Sequence, residues 1–246
     1  LDIKKNGIYI DGTLGRGGHT SAILDKLGEN GLLISIDRDE SAIKEVQKKL
    51  GNRDNLILVH DNFINIPDIL DDLNIEKVDG MLFDLGVSSP QIDNPDRGFS
   101  YQQKGPLDMR MNRRQSLSAE DIVNNYSADK LEKVIKKYGE EKWAARIAEF
   151  IVDEREREKI TTTTKLVEVI KAAIPAAVRR KGGHPARRTF QALRIETNNE
   201  LKQLEKMIEN VIYNLKENGR ICIISFHSLE DRIVKNTFKH LNKKCV

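Results

Sequence analysis

The residues with the clearest chemical potential form a glycine-rich stretch, DGTLGRGGHTS, at residues 11–21. Its four glycines let the backbone approach a ligand closely. The stretch lies between an apolar run and a helical pattern, so the positive end of a helix dipole is available to the ligand. Asp37 ends the next apolar run, 20 residues after Gly17, where a carboxylate can bind ribose hydroxyls. The arrangement predicts a site for a nucleoside-type cofactor.

The glycine pattern differs from GxGxxG because Thr20 occupies the third glycine position. This difference argues against a dinucleotide and favours a ligand without a pyrophosphate. The alternative is a tight strand-to-helix turn in which the glycines serve packing alone. The acid at the end of the next run makes that alternative the weaker one.

Two more polar segments follow apolar runs. HDNF, residues 60–63, offers an acid or amide for an adenine edge and Phe63 for its ring, although a solvated turn with a core Phe is the simpler interpretation. DLGVSSPQ, residues 84–91, begins with Asp84. Ligand sites of open α/β sheets lie at the carboxyl ends of strands, so Asp84 is expected in the crevice of the glycine-rich stretch. The loop through Pro90 is expected to present backbone carbonyls to an exocyclic amine, with a capped turn as the alternative.

Charge is divided unevenly along the chain. Residues 1–100 hold 11 Lys/Arg and 18 Asp/Glu, a net of −7, whereas residues 101–246 hold 30 and 20, a net of +10. Five Lys/Arg, no acid and His184 lie within residues 179–188. Phosphate binding, with nucleic acid as the leading partner, is favoured over a solvated basic loop. The residues expected to contact RNA are Arg110, Arg113, Arg114, Arg179, Arg180, Lys181, Arg187 and Arg188.

SFHSLEDR, residues 225–232, follows a further apolar run and leaves two interpretations open. His227 and Glu230 are candidates for catalysis, but capping of a helix by Ser228 beside a structural His227 is an equal alternative. The five histidines have no metal-ligand spacing with each other or with the two cysteines, so no metal is expected. Two cysteines make no disulfide framework, which favours a reducing cytoplasm.

The elements that must position these motifs alternate in the first part of the chain. Apolar runs, the predicted strands, lie at 7–11, 31–37, 55–60 and 78–84, and helical patterns lie at 20–27, 40–50 and 66–73. Alternating strands and helices predict a parallel sheet, and continuous apolar strands indicate that both faces are covered. Thr20 or Ser21 is the predicted N-cap of the first helix. No apolar run approaches the ~18–20 residues needed to cross a bilayer, so no membrane contact is expected.

The pattern becomes helical after about residue 105. Four helices are predicted here. The first follows a capping box at Ser118 and Asp121, and the second runs from Ser127 to Gly139. The third covers EEKWAARIAEFIVDERERE, and the fourth follows Thr161–Thr164. The alternating pattern resumes with a helix at 197–216, a fifth strand at 220–226 and a helix near 229–241. The sequence therefore predicts an α/β protein with an all-helical insert of about 70 residues.

These motifs resemble those of the bacterial small-subunit ribosomal RNA cytidine N4-methyltransferases. The resemblance rests on DGTLGRGGH, DLGVSSPQ, RGFS–GPLDMRM (97–111), YGEEKWAARIA (138–148), HPARRTFQALRIETNNEL (184–201) and SFHSLEDR, and runs through nearly the whole chain. It implies an α/β class I S-adenosylmethionine methyltransferase fold, Rossmann-like with a mostly parallel sheet, and an inserted helical subdomain. On this basis the expected methyltransferase domain covers 1–105 and 185–246, and the expected substrate-recognition insert covers 106–184.

The resemblance implies S-adenosyl-L-methionine as the cofactor and methylation of the N4 amine of one cytidine in the decoding region of 16S rRNA. The implied cofactor residues are Gly17, Gly18, His19, Asp37, Phe63, Asp84 and Gln91. Asp84 and the backbone carbonyls from Ser88 to Pro90 are the expected acceptors for the target amine, and thus the candidate catalytic residues. A flipped or unstacked base is required to reach them.

Three alternatives remain. A methyltransferase acting on DNA amines is the nearest, followed by a non-catalytic RNA-binding assembly factor. A nicotinamide-dependent oxidoreductase is disfavoured by the missing third glycine. The family pattern also differs at the ends of the chain. This chain begins at Leu1, in the approach to the first strand, and ends at Val246, where family members continue, as expected of a fragment. No final hairpin is predicted after residue 226.

Overall fold

The computed structural model describes residues 1–180 and 183–244. The elements in chain order are β1 (Ile8–Asp11), α1 (Gly18–Leu24), β2 (Leu32–Asp37), α2 (Glu40–Leu50), β3 (Leu56–His60), α3 (Ile66–Asp72), β4 (Val78–Asp84), α4 (Ser89–Asp93), α5 (Ala119–Asn125), α6 (Ala128–Gly139), α7 (Ala144–Arg155), α8 (Thr163–Ala173), α9 (Ala176–Arg179), α10 (Arg187–Asn198), α11 (Glu200–Val211), β5 (Leu215–Ile224) and α12 (Ser228–Lys244). The predicted alternation through β4 and the helical stretch after it are confirmed.

The five strands form one parallel sheet in the order β3-β2-β1-β4-β5. Strand β1 is central: Ile10 lies opposite Ile34 of β2 on one side and Met81 of β4 on the other. Strand order reverses between β1 and β4, so their carboxyl ends form the switch point at which open α/β sheets bind ligands. The predicted Rossmann-like α/β class is confirmed. Within the described residues no strand follows β5.

The central strands are apolar on both faces because helices cover both. Ile10, Met81 and their neighbours form one core with apolar residues of α3, α11 and α12. The alternate residues Tyr9, Leu33 and Leu82 form a second core with apolar residues of α1. This two-sided burial produces the continuous apolar runs that the sequence shows.

The chain divides into two compact units. The first comprises Leu1–Gly86 and Leu201–Val246 and holds the sheet, and the second comprises Val87–Glu200 and is helical. The second unit has a core of its own. It contains the expected insert of 106–184 and extends beyond it at both ends, because Phe99 and Phe190 are buried in that core. The second unit begins 19 residues before the expected insert and ends 16 residues after it.

The predicted helix at 197–216 is wrong in its bounds. One helix, α10, ends at Asn198, Asn199 adopts a left-handed φ of 51°, and α11 begins at Glu200. The sequence analysis assigned no helix to the start of α10. Strand β5 begins at Leu215, earlier than predicted, because Leu215 already pairs with Val78 of β4. A bulge separates this pair from the next one, between Arg220 and Gly80.

The predicted N-cap of the first helix is also wrong. Gly17 is the N-cap of α1, and Thr20 lies inside the helix, where its hydroxyl is occupied by bonds to the sheet. Helix α7 is shorter than the predicted run and begins after Trp143. The caps predicted at Ser118, with Asp121 in a capping box, and at Ser127 are confirmed.

Candidate functional site

The glycine-rich stretch is anchored to the sheet by a buried carboxylate at the end of β1. Asp11 is fully buried, and its two oxygens accept from the Thr13 amide at 3.2 Å and from the Thr20 hydroxyl at 2.7 Å. The Thr20 Oγ1 lies 2.9 Å from the Ser35 Oγ of β2. Burial raises the pKa of Asp11, and its hydrogen bonds oppose the rise only in part. The network fixes both ends of the loop against β1 and β2.

The loop reaches α1 through a glycine in a conformation that other residues rarely adopt. Gly17 has a φ of 72°, and a Cβ at this position would lie 3.0 Å from a methyl group of Val46. A Cβ on Gly18 would meet no atom within 4 Å. The backbone is therefore fixed on its inner side and open above Gly18, which fits the close approach of a ligand. His19, the third implied cofactor residue here, is exposed.

Asp37, at the end of β2, holds the loop from the other side. One oxygen of its carboxylate accepts from the Gly15 amide at 2.8 Å, and the other accepts from the Asp39 amide at 2.8 Å. Burial raises the pKa of Asp37, although both amides favour its charged form. The side chain retains partial exposure. Because each carboxylate oxygen accepts more than one hydrogen bond, it can anchor the loop and still bind a ribose hydroxyl.

Residues 61–63, which follow β3, form a capped turn. Asn62 accepts from the Ile64 amide through its side chain and donates to Gln203 of α11 at 3.0 Å. The half-buried ring of Phe63 meets Phe83 edge to face, with centroids 6.0 Å apart. Both interpretations from the sequence are therefore compatible with the structure: the turn is packed, and one part of Phe63 is accessible.

Asp84 closes β4 in an arrangement that leaves one acceptor without a partner. Its amide donates to the Thr13 hydroxyl at 2.6 Å, and its Oδ2 lies 3.3 Å from the His19 Nε2. Its Oδ1 is buried and has no hydrogen-bond partner among the described residues. A buried, unsatisfied carboxylate oxygen costs free energy, so it points to a donor that the ligand or substrate brings. Neither the role of Thr13 nor the contact with His19 follows from the sequence pattern.

The segment from Val87 onward lies in the second unit and forms α4 rather than an open loop. Ser88 forms the N-cap of α4 in a capping box with Gln91, whose Oε1 accepts from the Ser88 amide at 3.1 Å. The carbonyl of Ser88 accepts from Gln91 and Ile92, and the carbonyl of Pro90 accepts from Asn94. The sequence predicts that these carbonyls face an amine, and in the structure those of Ser88 and Pro90 accept backbone hydrogen bonds within α4 and at its end.

His227 and Glu230 cap α12. The buried Glu230 carboxylate accepts from the amides of Phe226 at 2.8 Å and His227 at 3.3 Å, and the His227 Nδ1 accepts from the Glu230 amide at 3.4 Å. This reciprocal pair has the form of a capping box, with His227 rather than Ser228 as the capping residue. The structure thus favours the capping interpretation of this motif.

The basic residues expected to contact RNA fall into two groups. Arg113, Arg114, Arg179, Arg180 and Arg187 are exposed, as is Arg188, which also donates to the Glu140 carbonyl at 3.2 Å. Arg110 differs because it is half-buried and forms a bidentate pair with Asp108 at 2.7 and 2.9 Å. Its third contact is the Gln115 carbonyl at 2.9 Å. Lys181 lies outside the described residues.

An aromatic cluster includes His184, which lies within the basic run of residues 179–188. The Tyr101 ring stacks on His184 with centroids 4.5 Å apart and planes 16° apart, and meets Phe190 edge to face. Burial, with a smaller contribution from the positive charge of Lys171, lowers the pKa of His184. His184 is therefore part of the packing of the second unit, a role the sequence analysis did not assign to it.

Across residues 1–180 and 183–244, His, Cys, Asp and Glu side chains form no group of three or more placed to hold a metal ion. None of the helices in this part of the chain is both long and apolar enough to span a membrane.

Known proteins similar to this chain agree on one chemistry. The sequence profile of the MraW methylase family matches residues 1–246. A ribosomal RNA small subunit methyltransferase H from Halothermothrix orenii is 62% identical over the whole chain, which covers 79% of that protein. A protein of the same name from Clostridium botulinum (strain 657 / Type Ba4) is 55% identical over 100% of this chain and 79% of its own.

Similarity to solved structures is partial. The structure of an rRNA methylase from Streptococcus thermophilus matches 34% of this chain and 48% of its own, at 25% identity and a TM-score of 0.28. The interpretation of the site is based on the sequence relatives and on the geometry described above.

Proposed function

Because the chain belongs to the MraW methylase family, we propose that it methylates the N4 amine of one cytidine in the decoding region of 16S rRNA. The methyl donor is S-adenosylmethionine. The observation that carries the choice of an amine is the buried Oδ1 of Asp84, an acceptor without a partner among the described residues. An exocyclic amine offers the N–H that this oxygen lacks.

The residues present fit the cofactor. The open space above Gly18 and the fixed backbone at Gly17 leave room for a ligand beside β1, and Asp37 keeps partial exposure for a ribose. His19 lies in the first turn of α1, and Phe63, which is partly accessible, begins the turn that follows β3. Gln91 is proposed as a further contact from the resemblance alone. When bound, the cofactor supplies a methyl group made electrophilic by a positively charged sulfur.

The chain's own residues act on the amine. The N4 lone pair of cytosine is delocalised into the ring, so the free amine is a poor nucleophile. A hydrogen bond to Asp84 Oδ1 orients the N–H and helps to localise the lone pair on nitrogen. His19 binds the other carboxylate oxygen at 3.3 Å and holds the group in place. Most of the rate enhancement would then come from positioning the two reactants.

Charge supports an RNA substrate. The motifs around the glycine-rich loop lie in the half of the chain with a net charge of −7, and the exposed arginines lie in the half with +10. The relatives are named for the RNA of the small ribosomal subunit, and a ribosomal substrate implies a cytoplasmic enzyme. The target cytidine must leave its stack for its amine to reach Asp84.

The test is transfer of labelled methyl groups by purified protein to small-subunit particles, naked 16S rRNA and duplex DNA, followed by nucleoside analysis. We expect N4-methylcytidine from RNA and no product from DNA. Equal labelling of duplex DNA would support a DNA amino methyltransferase. RNA binding without any transfer would support an assembly factor. Label on another atom would contradict the cytidine N4 assignment.

A further inference from the structure

One aromatic side chain of the first unit is exposed at the carboxyl edge of the sheet, on a backbone that is held in place. Phe226 has 68% of its surface exposed to solvent. It follows β5 by two residues, in the SFHSLEDR motif whose polar members are used to cap α12. Single exposed apolar side chains are common, so exposure alone carries no argument. The argument depends on where this ring lies and how it is held.

The ring lies beside the exit from β4. Asp84, the last residue of β4, pairs with Ile224, the last residue of β5. The two chains continue side by side: the Leu85 amide donates to the Ile224 carbonyl at 3.0 Å, and a Cβ built on Gly86 would lie 3.5 Å from the Phe226 ring. Phe226 therefore follows Ile224 at the same edge of the sheet at which Asp84 presents its partnerless Oδ1.

The backbone of Phe226 is held in place by a buried acid. Its amide donates to the Glu230 carboxylate at 2.8 Å, and Glu230 is only 2% exposed. The same carboxylate binds the next amide and is itself part of the cap of α12. The backbone that carries the exposed ring is thus fixed, so stacking of a flat ligand restricts only the side-chain torsions of Phe226.

We propose that Phe226 is the stacking platform for the unstacked target base. A base removed from RNA loses its stacking neighbours, and enzymes that act on such bases replace them with aromatic side chains. An acceptor for an exocyclic amine and an exposed aromatic ring lie at neighbouring strand ends. Together they provide the two contacts that a flat amino base needs. The proposal rests on the proposed function for the identity of the base.

The chain provides a matched control. Tyr213 is exposed to a similar extent, 72%, and belongs to the same unit. It lies just before the amino end of β5, whereas Phe226 lies beyond the carboxyl end, at opposite edges of a parallel sheet. Tyr213→Ala removes an equally exposed ring far along the strand from Asp84.

The experiment compares wild type, Phe226→Ala, Phe226→Leu, Phe226→Tyr and Tyr213→Ala. The readouts are the single-turnover rate of methyl transfer to small-subunit particles, cofactor affinity by calorimetry, and the fluorescence of pyrrolo-cytosine placed at the methylated position of an RNA fragment. Stacking quenches that fluorophore, so this readout reports the base contact without transfer. The unfolding midpoints of all variants verify that they fold. An exposed ring contributes little to stability, so these midpoints should be similar.

We expect Phe226→Ala and Phe226→Leu to lower the rate by about 5- to 150-fold and to leave pyrrolo-cytosine bright, with cofactor affinity unchanged. Phe226→Tyr and Tyr213→Ala should match wild type. A Leu variant equal to wild type would overturn the proposal, since Leu has no π face. So would quenching that survives in Phe226→Ala. Failure of the proposed function is separate, because wild type would then give no N4-methylcytidine.

Discussion

His19 Nε2 lies 3.3 Å from Asp84 Oδ2, so the first turn of α1 contacts the end of β4. The two residues come from different motifs, 65 positions apart in the sequence. Their contact occupies one oxygen of the Asp84 carboxylate and leaves the other, Oδ1, buried and without a partner among the described residues. The chemistry of the candidate site is concentrated at that oxygen.

Asp84→Ala is expected to abolish methyl transfer even at saturating cofactor. Loss of one preorganised group that stabilises a transition state lowers kcat by roughly 10²–10³-fold, and Asp84 is the acceptor proposed for the amine. Single-turnover kinetics with saturating cofactor measure the effect. Asp79→Ala is the control, because Asp79 lies near the opposite end of β4. Near-normal turnover in the Asp84 variant would mean that this residue is structural or contacts cofactor only.

Asp37→Ala is expected to weaken cofactor binding more than it slows the bound-state chemical step. A ribose-binding carboxylate forms charge-assisted hydrogen bonds worth ~1.5–3 kcal/mol. The variant also loses the contact with the Gly15 amide, which orders the loop for the ligand. Calorimetry measures the cofactor affinity, and single-turnover kinetics at saturating cofactor measure the rate of the chemical step. An unchanged affinity would remove Asp37 from the site.

The sequence was sufficient to predict the strands and the acids that follow them. Strands β1, β2 and β4 are buried on both faces, so each is a continuous apolar run, and Asp37 and Asp84 end two of them. Strand-end position in a parallel sheet then determines which edge they share. Both features depend on local sequence alone, so they can be predicted without knowledge of the tertiary structure.

Other parts of the structure depend on contacts between distant residues. The break at Asn199 interrupts a helical pattern that continues on both sides, and the boundary between the two units falls next to it. The bond from Thr20 to Asp11 requires the pairing of β1 with β2, which brings Ser35 alongside. The bond from Thr20 to Asp11 has no local signal in the sequence, whereas Asn199 is of a residue type that can end a helix in the left-handed conformation, a signal obscured by the helical pattern on both sides.

Asp11→Asn is expected to flatten the pH dependence of stability. Burial raises the folded-state pKa of Asp11 above its ordinary value of 3.8, so the folded chain binds this proton more tightly than the unfolded chain. Its contribution is therefore greatest below 3.8 and is lost as pH rises through the raised value. Asparagine does not titrate in this range. The free energy of unfolding of the variant, measured by urea titration, should therefore increase relative to that of wild type as pH rises through that window.

Asp79→Asn provides a control of opposite sign for this effect. Burial acts to raise the pKa of Asp79, but its hydrogen bonds with Lys216 and the Ile8 amide and the nearby positive charges lower it overall. Its contribution is present above 3.8 and is lost as pH falls through the lowered value. The Asn variant should thus lose stability relative to wild type as pH rises. Parallel pH profiles for the two variants would contradict both assignments.

Arg110→Ala is expected to destabilise the second unit rather than to weaken RNA binding alone. Its guanidinium makes two hydrogen bonds to Asp108 and one to the Gln115 carbonyl. Asp108 would remain as a mostly buried carboxylate without this partner, at a cost of about 1–2 kcal/mol given the partial exposure of the arginine. Arg113→Ala, at an exposed position, is the control, and chemical denaturation measures both. Equal stabilities would show that the pair contributes nothing to the fold.

The last prediction concerns the exposed arginines of the second unit. Replacing four of them together with Ala should leave cofactor binding intact and weaken RNA binding; the four are Arg179, Arg180, Arg187 and Arg188. If each neutralises one phosphate, the slope of log affinity against log salt becomes shallower by roughly 0.7–0.9 for each arginine removed. Arg188 is expected to contribute least, because it donates to the Glu140 carbonyl.

The matched control replaces four exposed lysines of the first unit with Ala, namely Lys48, Lys49, Lys202 and Lys206. It removes the same formal charge from the chain, so it corrects for any effect of net charge on long-range attraction. Its salt slope should stay close to that of wild type because no phosphate contact is lost. An equal change of slope in both quadruple variants would mean that the arginines act through overall charge, and retained activity with an unchanged slope would make the basic run a solvated surface.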